Sequence, residues 1–351
     1  MNHDVDKLNN LMNKAVADIG AAASGALVLI GYRLGLFEVL AKNGPLSSHN
    51  LAMISGTQER MVREWLSAMA ASDYVVYNPS DGTFGMTPEQ TALFGDTDSP
   101  LFLASVYPCV AALYKDEPLV AQAFRHGGGV GWQEHDEDLF HGTDSFFGRV
   151  YENFLISTWL PSVENVMERL EAGAVVADVG CGHGTTTLLM ARSFPKSVFF
   201  GFDAHEPSIS IAEKRLNGTG LANANFQICP VEAISPENYD LAFFCDSFHE
   251  MNNPVAIASH MKNILSPDGT LMLVEQRAPD RLEDNLHPVG RLCYSFSAMI
   301  CVPGAISQGA EDALGAQAGP IRLTKILREG GFSRVRKTAE TPMHMVIEAK
   351  K

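Results

Sequence analysis

Along this chain of 351 residues the apolar positions keep two different rhythms. In the first ninety or so they recur at helical spacing: a helical region runs through Leu40, Gly44-Pro45 breaks it, and Ser47 is placed to cap a short helix carrying Leu51 and Ile54. Gly56-Thr57 opens a further helix whose buried stripe is Met61, Val62, Trp65, Leu66 and Met69. Residues 74–77, the turn Asn78-Pro79-Ser80-Asp81-Gly82 and residues 83–86 read as a β-hairpin, so residues 1–95 are expected to form a winged helix. Residues 96–165 predict a helical linker, with helices at 101–114 and 117–124, a break at Gly127-Gly128-Gly129, and an aromatic stretch at 146–160 that is a candidate lining for a substrate cavity. From residue 166 to 351 short apolar runs alternate with helical ones. Strands are expected at 175–179, 197–203, 225–229, 239–246, 269–275, 332–338 and 343–349, which makes a doubly wound α/β sheet. Thr341-Pro342 joins the last two too tightly for a crossover, so they should form an antiparallel hairpin at the sheet edge.

The first of these strands breaks into the most informative segment of the chain, Asp178-Val-Gly180-Cys-Gly182-His-Gly184, followed at once by a helix. Glycines let the backbone turn sharply and approach a ligand closely, and the free N–H groups of the new helix offer it a polar shelf. The next strand ends on Asp203, nineteen residues beyond Gly184, where a carboxylate accepts from both hydroxyls of a ribose. A nucleoside cofactor follows from the combination. A dinucleotide fingerprint would leave room for a pyrophosphate, whereas here Asp178 stands in front of the glycines and calls for a cation.

On these residues the chain resembles the class I S-adenosylmethionine-dependent methyltransferases, whose first motif is an acidic residue followed by Gly-x-Gly-x-Gly and whose second is the acidic end of the next strand. The resemblance implies S-adenosylmethionine as cofactor, held by Asp178, Gly180, Gly182, Gly184 and Asp203, and a Rossmann-like seven-stranded sheet in the order 3-2-1-4-5-7-6. In such enzymes an acidic residue commonly follows the third strand to meet adenine; here Ile228-Cys229-Pro230-Val231 stands in that place, leaving Glu232 as the candidate. Asp246, at the end of the fourth strand, is counted with the cofactor contacts. The N-terminal segment, including Tyr32-Arg-Leu-Gly-Leu-Phe37, resembles the domain through which small-molecule O-methyltransferases and bacterial winged-helix methyltransferases dimerise and close their substrate pocket.

Ligands bind at strand carboxyl ends, so a base for a hydroxyl acceptor belongs on the loop after the fourth strand. His249-Glu250 fills that place and resembles the His-Asp pair of plant-type O-methyltransferases. His249 is the expected base and Glu250 the carboxylate that orients it. Glu275 is placed either to orient the acceptor or to cap its strand. Residues 281–303 read as a lid, with Asn285 and His287 as alternative polar contacts.

A net charge of −15 and a pI near 5.1 argue against nucleic-acid or anionic membrane partners and favour a small-molecule substrate. Residues 1–90 hold six Lys or Arg against nine Asp or Glu, the wrong balance for a DNA-binding face. The remaining alternative is a cofactor-sensing winged-helix transcriptional regulator. The six cysteines form no Cys-x-x-Cys pair and the histidines no His-Glu-x-x-His, so neither a metal site nor a disulfide framework is expected. The apolar stretch 19–32 is short of a bilayer span, and the first residues lack the pattern of a secretory signal, which points to the cytoplasm, while the resemblance of the N-terminal domain implies a homodimer.

Overall fold

The computed structural model describes residues 4–351, which divide into two compact units: 4–112 with 141–146, and 113–140 with 147–351. Met1–His3, the start of the stretch read above for a targeting signal, lie outside the described residues.

The first unit opens with α1 (Val5–Arg33), capped by Asp4, whose carboxylate accepts from the backbone N–H groups of Asp6 and Lys7. The helical region through Leu40 is interrupted at Gly35, which takes the left-handed conformation (φ 65°) and starts α2 (Leu36–Asn43). Ser47 caps α3 (Ser48–Ser55), and α4 (Glu59–Ala71) follows. Val62, Trp65, Leu66 and Met69 form the buried stripe of α4. Met61 is a correction: it lies one residue off that i, i+3, i+4, i+7 row and is 72% exposed. The wing is β1 (Val76–Asn78) against β2 (Thr83–Gly85), antiparallel, and Leu46 bridges to Phe84 on its other side. Trp65 meets the Phe37 ring edge-on at 4.9 Å and donates from its indole to the carbonyl of Leu27. Much of α1 faces outward, with Val5, Leu8, Leu11, Met12, Val16 and Ile19 exposed.

The second unit is built on seven strands: β3 (Val175–Val179), β4 (Val198–Asp203), β5 (Ala224–Ile228), β6 (Tyr239–Cys245), β7 (Leu265–Gln276), β8 (Arg334–Glu340) and β9 (His344–Lys350). Their order is β5-β4-β3-β6-β7-β9-β8. Counted from the sheet's own first strand this is 3-2-1-4-5-7-6, the order expected, with only β9 antiparallel to its neighbours. Side chains alternate across the sheet. Ala177, Val179, Phe244 and Leu273 enter one core, while Val176, Phe243, Met272 and Val274 enter the other. In the aromatic stretch Trp159 is fully buried in the second cluster with Leu155 and Leu160, while Tyr151 and Phe154 are half-buried against it. Where two helices were expected at 101–114 and 117–124, a single helix Tyr107–His126 runs through Pro118.

Candidate active site

β3 delivers the chain into the glycine loop, and the three glycines, all at positive φ, have different reasons to be glycine. A Cβ on Gly180 would lie 2.6 Å from that of Ser247, and one on Gly184 would lie 2.5 Å from the Phe226 ring. These two permit close packing. A Cβ on Gly182 would meet nothing within 4 Å, so that position faces open space. The Gly182 N–H donates to Asp203 Oδ2 at 2.9 Å and the His205 N–H to Oδ1 at 2.8 Å, which fixes the plane of the Asp203 carboxylate. Burial pushes the Asp203 carboxyl up, against the pull of those two N–H groups.

Asp178 is buried beneath the loop, where Thr186 and Thr187, from the first turn of the helix Thr185–Ser193, donate to its Oδ2 at 2.6 and 2.5 Å. Its Oδ1 is buried with no hydrogen-bond partner among the described residues. Burial pushes this carboxyl up to about 6, although both hydroxyls oppose the shift. An orphaned carboxylate oxygen beneath a cradle that a side chain would fill fits a ligand bearing an ammonium group, such as the amino-acid end of S-adenosylmethionine. Beside Asp203, the His205 ring stacks on Phe140 at 4.4 Å.

The loop after β6 starts at Asp246, held at φ 53°. Its carboxylate is already engaged: Tyr151 and His344 donate to Oδ2 at 3.0 and 2.9 Å, and Gln276 to Oδ1 at 2.7 Å. Three residues on, His249 is buried with its Nδ1 2.5 Å from Glu275 Oε2. The backbone N–H groups of Phe248 and His249 donate to Glu275 Oε1, so one carboxylate secures both the loop and its imidazole. Glu250 stands on the opposite side of the ring, Oε1 3.8 Å from Nε2, and its Oε2 accepts from the Trp132 indole at 2.7 Å. Burial pushes the imidazole down, but the Glu275 charge and contacts with Glu275 and Cys301 outweigh it and leave His249 well above the usual histidine range. Burial raises Glu250 to about 7 despite the neighbouring His249.

A family model described as "Methyltransferase domain" matches residues 170–331, and one described as "Rv2258c-like winged HTH domain" matches residues 22–95. The chain pairs a winged helix with a methyltransferase domain. A trans-aconitate 2-methyltransferase of Acidovorax ebreus is 28% identical over 151 residues, 42% of this chain and 55% of that protein, so the chain spans about half the length of this curated relative. Two solved structures share the fold over essentially the whole chain. One is a putative O-methyltransferase from Nostoc punctiforme, with TM-score 0.72, 17% identity and full coverage of both chains. The other is human N-acetylserotonin methyltransferase in complex with SAM, with TM-score 0.71, 16% identity and coverage of 100% and 99%.

Within the methyltransferase domain the structure brings Asp178, Gly182 and Asp203 together at one end of the sheet, while Gly180 and Gly184 serve the turn. Glu232 lies exposed on a one-turn helix, Val231–Ala233. The hydrogen-bonding partner of His249 is Glu275, so the orienting role assigned to Glu250 from sequence is corrected: adjacent residues on a tight turn point apart, whereas β7 runs directly beside the loop. Asn285 and His287 act locally. Asn285 donates to the carbonyls of Pro279 and Arg281, and His287 accepts from the Gly290 N–H at the start of the helix Pro288–Phe296. Thr186 and Thr187 were missed, although hydroxyls in the first turn after a glycine loop are a readable signal. Trp132 and His344 carried none, because each arrives from far along the chain, whereas Tyr151 and Cys301 lie in the aromatic stretch and the lid segment already singled out.

Among the described residues, two helical stretches, Val5–Arg33 and Pro288–Ser307, are long and apolar enough to cross a membrane by length and composition only. The second contains a π-helical turn at Ser297–Cys301.

Proposed function

We propose that this protein is an S-adenosylmethionine-dependent methyltransferase acting on a hydroxyl of a small molecule, with His249 as the base. The observation that carries the reading is the buried His249–Glu275 pair on the loop after β6, in the same domain as a glycine loop with an orphaned Asp178 oxygen. When bound, the cofactor supplies a methyl group on a sulfonium. Asp178 Oδ1 would accept from its ammonium, the Asp203 carboxylate from the ribose hydroxyls, and Gly182 leaves space for the backbone to approach it. Asp246, with three protein donors already on it, would act here by holding the loop in place.

At His249, Glu275 holds Nδ1 and so presents Nε2 to the acceptor. With the methyl leaving the sulfonium as a neutral thioether departs, Nε2 would take the proton released by the acceptor hydroxyl, and the resulting imidazolium would be stabilised by the Glu275 charge. Raising the pKa of a base moves its deprotonation to higher pH, so turnover should rise with pH until Nε2 is free. The winged helix is proposed to have an architectural and dimer-forming role. Arg60 and Arg63 on α4 are paired with Glu64 and Glu59, which disfavours contact with phosphates, and the exposed apolar face of α1 suits a second copy of the chain. A cytoplasmic, membrane-free homodimer is the corresponding reading of the whole chain.

The test is transfer from methyl-labelled S-adenosylmethionine to a panel of hydroxylated small molecules. His249→Ala should lower turnover on an identified acceptor by about 10²–10⁴-fold with cofactor affinity unchanged. Full turnover in that variant would remove the histidine from the chemistry.

A further inference from the structure

His249, Glu250 and Cys301 converge in the interior of the methyltransferase domain. Nε2 of the first, a carboxylate oxygen of the second and Sγ of the third all lie within 4.8 Å of one another, with Nε2 and Oε1 at 3.8 Å. Each of the first two is fixed through its other polar atom. Glu275 holds His249 Nδ1 at 2.5 Å, and the Trp132 indole holds Glu250 Oε2 at 2.7 Å, so both present their remaining atom to the shared point. A carboxylate behind a histidine and a donor behind a carboxylate are the partners that order metal ligands.

We infer that this cluster is a binding site for one divalent cation of the zinc class, with His249 Nε2, Glu250 Oε1 and Cys301 Sγ as its ligands. Nitrogen, oxygen and thiolate together suit Zn²⁺ or Co²⁺ rather than Mg²⁺ or Ca²⁺, which prefer all-oxygen sites. Around tetrahedral zinc, ligand atoms stand roughly 3.3–3.6 Å apart, so the observed separations need close by only about 1 Å. Three protein ligands leave a fourth position for water or an acceptor oxygen, the arrangement of an open rather than a closed zinc site. On binding, the Cys301 thiol gives up its proton to solvent and the sulfur becomes a thiolate ligand. No sequence signature marks such a site, because its third ligand comes from fifty-one residues beyond Glu250.

Occupancy bears on the proposed reaction, since a cation on Nε2 holds the lone pair that the base needs. The site itself stands on geometry alone. Its failure is separable from failure of the methyltransferase reading, which S-adenosylmethionine calorimetry tests independently.

The experiment is titration of the full-length, metal-stripped protein with Co²⁺ as a spectroscopic probe and Zn²⁺ by calorimetry. One Co²⁺ per chain with a thiolate-to-cobalt charge-transfer band in the near ultraviolet is expected. Cys301→Ser should abolish the band, Glu250→Gln and Glu275→Gln should each weaken Zn²⁺ binding by about 10–100-fold, and Cys229→Ser should leave the band intact. Should Cys301→Ser fail to fold, protection of Cys301 from alkylation by stoichiometric Zn²⁺ in the unaltered protein, read by mass spectrometry, decides the question. Absence of the thiolate band, or a Cys301 that zinc does not protect, overturns the inference.

Discussion

At the level of single residues, the candidate site depends on carboxylates whose protonation the fold has altered. Asp178 binds a proton up to about pH 6, and a cationic ligand requires that proton to leave. Cofactor affinity should therefore weaken as pH falls through about 6, by about tenfold per pH unit below it, which calorimetry between pH 5 and 7.5 reads directly. In the absence of ligand the sign is opposite for stability. The folded chain keeps a proton that the unfolded chain has lost, so the Asp178 contribution to stability declines as pH rises from about 4 to about 6. Glu275→Gln removes the charge that raises His249, so the midpoint of the pH–rate profile should move to lower pH while maximal turnover falls. A midpoint that stays in place would show that another group governs the profile. Asp178 and Asp203 were legible in the sequence because their chemistry is local to a strand end and a glycine loop. The Glu275–His249 contact was not, since it joins residues that only the neighbouring placement of β6 and β7 brings together.

Among the elements, the glycine loop offers the sharpest contrast. Gly184→Ala would set a side chain at φ 78° against the Phe226 ring, and should destabilise the protein by about 1–3 kcal/mol, seen as a lower melting temperature. Gly182→Ala meets no atom, carries only backbone strain, and should cost less stability while intruding on the space assigned to cofactor. Equal melting losses in the two variants would contradict this division. The strands were readable because buried, mostly parallel strands are short apolar runs bounded by turns, and the tight Thr341-Pro342 connection announced the β8–β9 hairpin. The linker was less legible, because its helix boundaries carry no local signal. The helices expected at 101–114 and 117–124 are one helix, Tyr107–His126, and in the run at 146–160 Trp159 belongs to the core under β3 and β6 while Tyr151 reaches Asp246.

For the molecule as a whole, α1 sets the expectation. Its exposed Leu8, Met12, Val16 and Ile19 recur every three to four residues and form an apolar row, so Val16→Lys with Ile19→Lys should convert a proposed dimer to monomer by light scattering, with cofactor affinity unchanged. A mass independent of these changes would place the contact elsewhere or remove it. The claim beneath all of this is that the chain binds S-adenosylmethionine through Asp178 and Asp203, and titration calorimetry of the full chain with that cofactor near neutral pH addresses it most directly. One site per chain is predicted, with Asp203→Ala weakening it by about 1.5–3 kcal/mol, the scale of hydrogen bonds to a charged group. No measurable binding, or an affinity that Asp203→Ala leaves unchanged, would contradict it.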